Sequence, residues 1–264
     1  MSAHTIQPAL ALAGASVIIT RPATTAASLV RAVRGRGATV VRLPGSRLSP
    51  LADAESARAE LLAAQSADAW IFTSPAAVDF CLRLSGSLPC APTAKVFAVG
   101  AASGRALARH GIRAVVPNGA QNSEGLLDDP ALVTPNGWKI AIIDAPGGRD
   151  LLASALLERG ADVVRIGVYR RLPPRLTRRH LDALERASRP WLTLLSSASA
   201  LDHLLAELPA GLIARWQHEA LIVSSARLSD LAEARGFSDI HEARSALTAD
   251  LVEAACRALS RHRL

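Results

Sequence analysis

The sequence predicts an α/β protein made of two similar domains, each a parallel sheet covered by helices on both faces. Three observations lead there. Half of the 264 residues are apolar, enough for a buried core and too many for a disordered chain. Short β-branched runs alternate with amphipathic stretches, the pattern of strands buried between two layers of helices. The chain also repeats itself. Val17-Ile18-Ile19-Thr20-Arg21-Pro22, a helical stretch and Arg36-Gly37-Ala38-Thr39-Val40-Val41-Arg42 recur as Ile140-Ala141-Ile142-Ile143-Asp144-Ala145-Pro146, a helical stretch and Arg159-Gly160-Ala161-Asp162-Val163-Val164-Arg165.

The elements follow in order. Val17–Thr20 is the first strand. The apolar stretch Pro8–Ile19 around it has no Lys or Arg before it, which argues against a signal peptide. No segment approaches the ~20 apolar residues that span a bilayer. Thr25–Arg34 is a helix with Leu29, Val30 and Val33 on one face and Arg31 and Arg34 off it. Gly37 follows where a left-handed C-cap is needed. Thr39–Val41, Trp70–Thr73, Val96–Val99 and Arg113–Val116 are the next strands, and Ser74 is placed to cap the helix after the second of them. Arg149–Arg159 is a helix with Leu152, Ala155 and Leu156 on one face, closed by Gly160 as the first is by Gly37. Leu192–Leu195 with Ser197 and Asp202 matches Trp70–Thr73 with Ser74 and Asp79. Ala220–Ser224 with Gly236 matches Val96–Gly100 with Gly111. Prolines at Leu43-Pro44 and Leu172-Pro173-Pro174 mark linkers. Either one boundary falls near Pro135-Asn136-Gly137, or the chain crosses between domains twice, at 42–48 and 167–174. Periodicity leaves both open.

Several chemistries are excluded. Aromatic residues make up 3% of the chain and Tyr169 is the one tyrosine, so a stacking platform for single-stranded nucleic acid is not expected. The net charge is +7, and only Lys95 and Lys139 among the 30 cations are lysines. That arginine bias is first a sign of a GC-rich genome. Functionally it suits a polyanion, because the planar guanidinium holds two oxygens of a carboxylate or phosphate at once. Cys81, Cys90 and Cys256 have no CxxC spacing and read as reduced thiols of a cytoplasmic protein. No P-loop and no Gly-x-Ser-x-Gly elbow is present. Val99-Gly100-Ala101-Ala102-Ser103-Gly104 lacks the dinucleotide spacing. The seven histidines show no metal-ligand pairing.

What remains is a set of hydroxyls and basic groups at strand ends, where open α/β sheets bind their ligands. These are Thr20-Arg21, Thr73-Ser74, Gly100–Ser103, Ser196-Ser197 and Ser224-Ser225. Each hydroxyl has an ordinary alternative as a helix cap. Together with the amides of helix N-termini they suit a carboxylate-rich ligand.

The ordered set resembles the uroporphyrinogen-III synthase family. The matching pieces are Thr20-Arg21-Pro22; Phe72-Thr73-Ser74-Pro75 with Ala77-Val78; Val99-Gly100 with Ser103 and Gly111; Ser123-Glu124-Gly125-Leu126-Leu127; Gly148-Arg149 with Leu152 and Gly160; Val168-Tyr169-Arg170-Arg171; and Leu195-Ser196-Ser197. The resemblance implies two α/β domains joined by a two-stranded ladder, with two crossings. One domain would hold residues 1–43 and 174–264, the other 44–173, and the ladder would be 40–43 with 168–172.

It also implies a lyase that closes hydroxymethylbilane, a linear tetrapyrrole, to uroporphyrinogen III with loss of water and inversion of the last ring. Neither metal nor organic cofactor would take part. The partner would be this small molecule, with eight carboxylates, bound across two domains of a cytoplasmic monomer; no nucleic acid and no membrane is expected. Tyr169 falls on the family's tyrosine and is the expected catalytic residue, donating to the departing hydroxyl; its alternative is a linker packing role. Arg21, Thr73, Ser74, Ser103, Arg149, Ser197 and Ser224 are the expected substrate-binding residues. The chain departs from the family at Ala76, where Asn is frequent, at Asp144-Ala145, where bacterial relatives carry Arg-Gly, and at Ala226-Arg227, in place of a threonine pair. A different class of function, a non-catalytic hinged receptor for a polyanion, predicts closure on a ligand without turnover.

Overall fold

In the computed structural model, residues 10–147 and 150–262 are described. The elements run β1 (Ser16–Ile19), α1 (Ala27–Arg34), β2 (Thr39–Arg42), β3 (Arg47–Ser49), α2 (Ala54–Ala63), β4 (Ala69–Phe72), α3 (Pro75–Ser85), β5 (Lys95–Ala98), α4 (Ala101–Ala108), α5 (Ser123–Leu127), α6 (Pro130–Val133), β6 (Lys139–Asp144), α7 (Leu151–Glu158), β7 (Asp162–Gly167), β8 (Arg170–Leu172), α8 (Arg178–Glu185), β9 (Trp191–Leu195), α9 (Ala198–Glu207), α10 (Ala210–Gln217), β10 (Ala220–Val223), α11 (Ala226–Ala234), β11 (Ile240–Glu242) and α12 (Thr248–His262).

The chain divides into two compact units, residues 1–47 with 172–264 and residues 48–171. The first contains a five-stranded sheet ordered β11-β10-β9-β1-β2, and the second a four-stranded sheet ordered β5-β4-β6-β7. All pairings in both are parallel. The duplication explains the likeness of the two sheets. Under the sequence match, β1, β2, β9 and β10 correspond to β6, β7, β4 and β5, so β10-β9-β1-β2 and β5-β4-β6-β7 are the same order. Each unit therefore takes one half of each sequence repeat. At the two crossings, β3 and β8 pair as a separate two-stranded sheet.

Alternation along the strands puts apolar side chains on both faces, as a parallel sheet requires. In the five-stranded sheet Val17, Ile19, Leu192, Leu194 and Ile222 pack with Leu29 and Val33 of α1 and Leu251 and Ala255 of α12. Ile18, Trp191, Leu195, Leu221 and Val223 pack on the other side with Leu184, Leu201, Leu212 and Leu228. In the four-stranded sheet Trp70, Phe72, Val96 and Ile143 pack with Leu61, Val78 and Leu107, while Ile71, Phe97, Ile140 and Ile142 pack with Leu126, Leu132 and Leu156. Gly37 and Gly160 both adopt φ of 84° just beyond α1 and α7, the left-handed helix exit their positions predict.

Two expectations differ from the structure. Val40–Leu43 is not a ladder strand: residues Thr39–Arg42 form β2, the edge of the five-stranded sheet beside β1. Pro44 supplies no N–H, and Gly45 turns back with its N–H on the Thr20 carbonyl at 2.8 Å. A Cβ at Gly45 would lie 2.5 Å from that of Ala200, so the close turn needs glycine. Strand formation resumes only at Arg47. Arg113–Val116 is likewise not a full strand. Val115 makes a single bridge to Phe97 before Pro117, which cannot donate to a ladder.

Candidate functional site

In each unit, parallel register brings one set of loop residues level at the carboxyl end of the sheet. In the second unit Phe72 pairs with Ala98 and Ile143, and Ile143 with Ile166. Thr73-Ser74, Gly100, Asp144 and Val168-Tyr169 therefore leave that end together. Tyr169 is the centre of this group. It is buried to 1% exposure, and its ring stacks on Phe80 of α3 with centroids 5.3 Å apart. The phenolic Oη lies 3.2 Å from Ser74 Oγ, and Arg171 Nη2 donates to Oη at 3.3 Å. The Arg171 guanidinium also sits 6.0 Å from the ring centroid.

Ser74 is the N-cap of α3, and its Oγ accepts from the Ala77 N–H at 3.1 Å. Pro75 suits the first helical position because its missing N–H is not needed there. Thr73 Oγ1 donates to the Ile143 carbonyl at 3.2 Å, which leaves its lone pairs for a donor. Ser103 lies in the first turn of α4 and is buried. The Ala101 N–H at the start of α4 is held by Gln121 Oε1 at 2.5 Å.

Beside them Asp144 ends β6. It accepts from Arg165 Nε at 3.2 Å and from its Nη2, and Arg165 Nη1 reaches Asp150. Burial pushes the Asp144 carboxyl above its ordinary pKa, against the opposing pull of Arg165 and Arg171. Arg165 itself is raised, chiefly by its bond to Asp144. Desolvation wins at the buried carboxylate, and pairing wins at the more exposed guanidinium.

In the first unit Thr20-Arg21, Ser196-Ser197 and Ser224-Ser225 leave the carboxyl ends of β1, β9 and β10. Thr20 Oγ1 donates to the Leu194 carbonyl at 2.8 Å. Arg21 donates to the Ala246 carbonyl, and burial lowers its pKa from the ordinary arginine value. Ser197 caps α9, accepting from the Ala200 N–H at 3.4 Å, and its Oγ lies 2.9 Å from that of Ser199. Ser224 is half-buried, and Ser225 heads α11 without a side-chain cap. The structure thus gathers Tyr169, Thr73, Ser74 and Ser103 at the carboxyl end of the four-stranded sheet, and Arg21, Ser197 and Ser224 at the carboxyl end of the five-stranded sheet. Arg149 lies outside the described residues.

The contacts of Arg171 and Phe80 with Tyr169 were not foreseen. Tyr169 falls between β7 and β8 and outside both strands, so strand alternation did not point to Arg171. A cleft of about 460 Å³, lined by Leu82, Leu88, Cys90, Val96, His110 and Arg113 among others, sits at the amino end of β5, away from this group. Among the described residues no cluster of three metal-capable side chains occurs, and no helix is long and apolar enough to cross a membrane.

Known proteins resemble this chain in sequence and in fold. Residues 27–253 match the family described as Uroporphyrinogen-III synthase HemD. The uroporphyrinogen-III synthase of Salmonella typhimurium LT2 is 32% identical over 250 residues, covering 88% of this chain and 96% of the relative. That of Escherichia coli K12 is 29% identical over 245 residues with the same coverage. Among solved structures, the Helicobacter pylori uroporphyrinogen-III synthetase superposes with a TM-score of 0.59 at 16% identity, covering 92% of this chain and 98% of that one. A mutant Thermus thermophilus uroporphyrinogen III synthase gives 0.56 at 19%, covering 94% and 99%; both show the fold. The family match spans most of the chain, and the chain belongs to the uroporphyrinogen-III synthase family.

Proposed function

We propose that this protein is a lyase that closes hydroxymethylbilane to uroporphyrinogen III, losing water and inverting the last ring. The observation that carries the reading is the Tyr169 phenol, poised between Ser74 and Arg171 at a sheet end, in a chain of this family. Loss of the substrate's hydroxyl needs a hydrogen-bond donor at the departing oxygen, which Tyr169 provides. The oxygen takes up a proton from solvent, relayed through the Tyr169 hydroxyl, and leaves as water, while the pyrrole nitrogen's electron pair stabilises the azafulvene cation that remains. Attack on that cation by the substituted carbon of the ring to be inverted forms one carbon–carbon bond and gives a spiro intermediate. Fragmentation breaks the bond from that carbon to its original bridging carbon and gives a second azafulvene cation; the bridging carbon then bonds to the free α-carbon of the same ring, and loss of that carbon's proton restores the pyrrole and returns the proton taken up by the departing water. Closure without inversion competes in free solution, so the enzyme wins a kinetic race, and about 1.4 kcal/mol of selective stabilisation is tenfold. Ser74, Ser103, Ser197, Ser224, Thr73, Arg21 and Arg149 are the proposed carboxylate-binding residues, and Tyr169 is the proposed catalytic one. No step calls for a metal or organic cofactor. The protein is proposed to work as a cytoplasmic monomer on this small molecule alone.

The test is turnover of freshly made hydroxymethylbilane, followed by separation of the oxidised product isomers. The type III isomer in excess over the uncatalysed background supports the reading. Binding of the substrate without acceleration would favour the receptor alternative.

A further inference from the structure

The phenol of Tyr169 has an oxygen that both donates and accepts, and its two partners differ in what they can do. An arginine guanidinium only donates. With Arg171 Nη2 aimed at Oη, the Tyr169 oxygen is the acceptor in that contact, and its own hydrogen must point elsewhere. Ser74 Oγ, 3.2 Å away, already accepts from the Ala77 N–H and keeps one lone pair for the phenolic hydrogen. Both contacts to Oη are long for their types, so the hydrogen changes partner at small cost. The phenol cannot tumble between partners by moving its ring, because the ring is buried and stacked on Phe80.

From this geometry we infer that Arg171 is a positioning residue. It occupies an acceptor site of the Tyr169 oxygen and so favours presentation of the phenolic hydrogen to Ser74 or to a ligand group that displaces it. Arg171 is exposed along its own length, and its positive charge favours the ionised form of the Asp144 carboxyl. Arg165 holds that carboxylate from β7. Without Arg171 the Ser74 hydroxyl is free to donate to Oη instead, which turns the phenol's lone pair toward its neighbour and leaves the hydrogen unaimed. The inference rests on the proposed reaction for its catalytic meaning, though the hydrogen-bond assignment stands on the contacts alone.

Two measurements separate these parts. Tyr169 is the one tyrosine, so full-length protein labelled with 13Cζ-tyrosine gives a single phenolic carbon resonance that reports hydrogen bonding at Oη. Arg171→Gln is expected to shift that resonance, and Arg171→Lys to return it toward wild type. An unchanged resonance in Arg171→Gln overturns the assignment, whatever the enzyme turns over. The second measurement is a kinetic cycle on hydroxymethylbilane. Arg171→Gln is expected to lower kcat about tenfold with KM changed less than about twofold, while the same substitution in a Tyr169→Phe background changes kcat less than about twofold. Equal losses in the two backgrounds overturn the inference, because Arg171 then acts independently of the phenol. A wild-type protein that makes no type III isomer refutes the proposed function, and that outcome is read separately from the resonance.

Discussion

Single side chains decide the chemistry. Tyr169→Phe keeps the stack on Phe80 and removes only the hydroxyl. A donor aimed at a developing charge is worth ~10²–10³ in rate at most, so turnover is expected to fall by about that much. Two long hydrogen bonds are lost, so stability falls by no more than about 1–2 kcal/mol, which steady-state kinetics and a thermal melt measure together. Unchanged turnover would reduce Tyr169 to packing. Asp144 makes a pH prediction. Its folded pKa is raised by burial, so the native state holds that proton more tightly than the unfolded chain. Its contribution then favours folding below the ordinary carboxylate range and is lost as pH rises through the raised value. Asp144→Asn has no such dependence. Its melting temperature should therefore gain on wild type as pH rises from about 4 toward neutrality; a gap that grows in favour of wild type would contradict it. Ser74 was legible as a cap from its place after a strand; Tyr169 was singled out only through the family's segment, and its burial at the sheet end is what the structure adds. The contact of Arg171 with the phenol was not legible, because it depends on how β8 leaves the sheet end.

Elements carry the frame that holds these side chains. The β-branched runs and the amphipathic faces of α1 and α7 were readable because burial on one face leaves a periodic trace. What failed was where pairing stops. Thr39–Arg42 completes the sheet beside β1, and the restart at Arg47 is set by Pro44 and by the approach of Gly45 to Ala200. Such a contact is long-range and leaves no local pattern. The exit from α7 makes the frame testable. Gly160 has φ of 84°, and a Cβ there would meet Asn136 Oδ1 at 2.5 Å. Gly160→Ala should cost about 1–3 kcal/mol, read from denaturant unfolding. Gly111→Ala, also at positive φ (72°) but with nothing within 4 Å of its added Cβ, should cost less. Equal costs would show that backbone strain alone matters at these exits.

At the scale of the whole chain, the repeat and the folding unit are different things. The first repeat supplies β1 and β2 to one sheet and β4 and β5 to the other. A fragment of residues 1–135 then lacks β9, the second neighbour of β1, and β6, the second neighbour of β4. It is expected to remain unfolded by circular dichroism and melting. A fragment of residues 48–171 carries the whole four-stranded sheet with both of its cores and is expected to melt cooperatively. Two domains were legible from the duplication alone, but a single boundary and two crossings predict the same periodicity, and strand order separates them. The proposed reaction is tested most directly by isomer analysis. Purified protein is given hydroxymethylbilane in parallel with a heat-denatured sample, and the oxidised uroporphyrin isomers are separated and quantified. Type III is expected as the dominant isomer with the native protein and type I with the denatured one. Type I alone in both samples would contradict it.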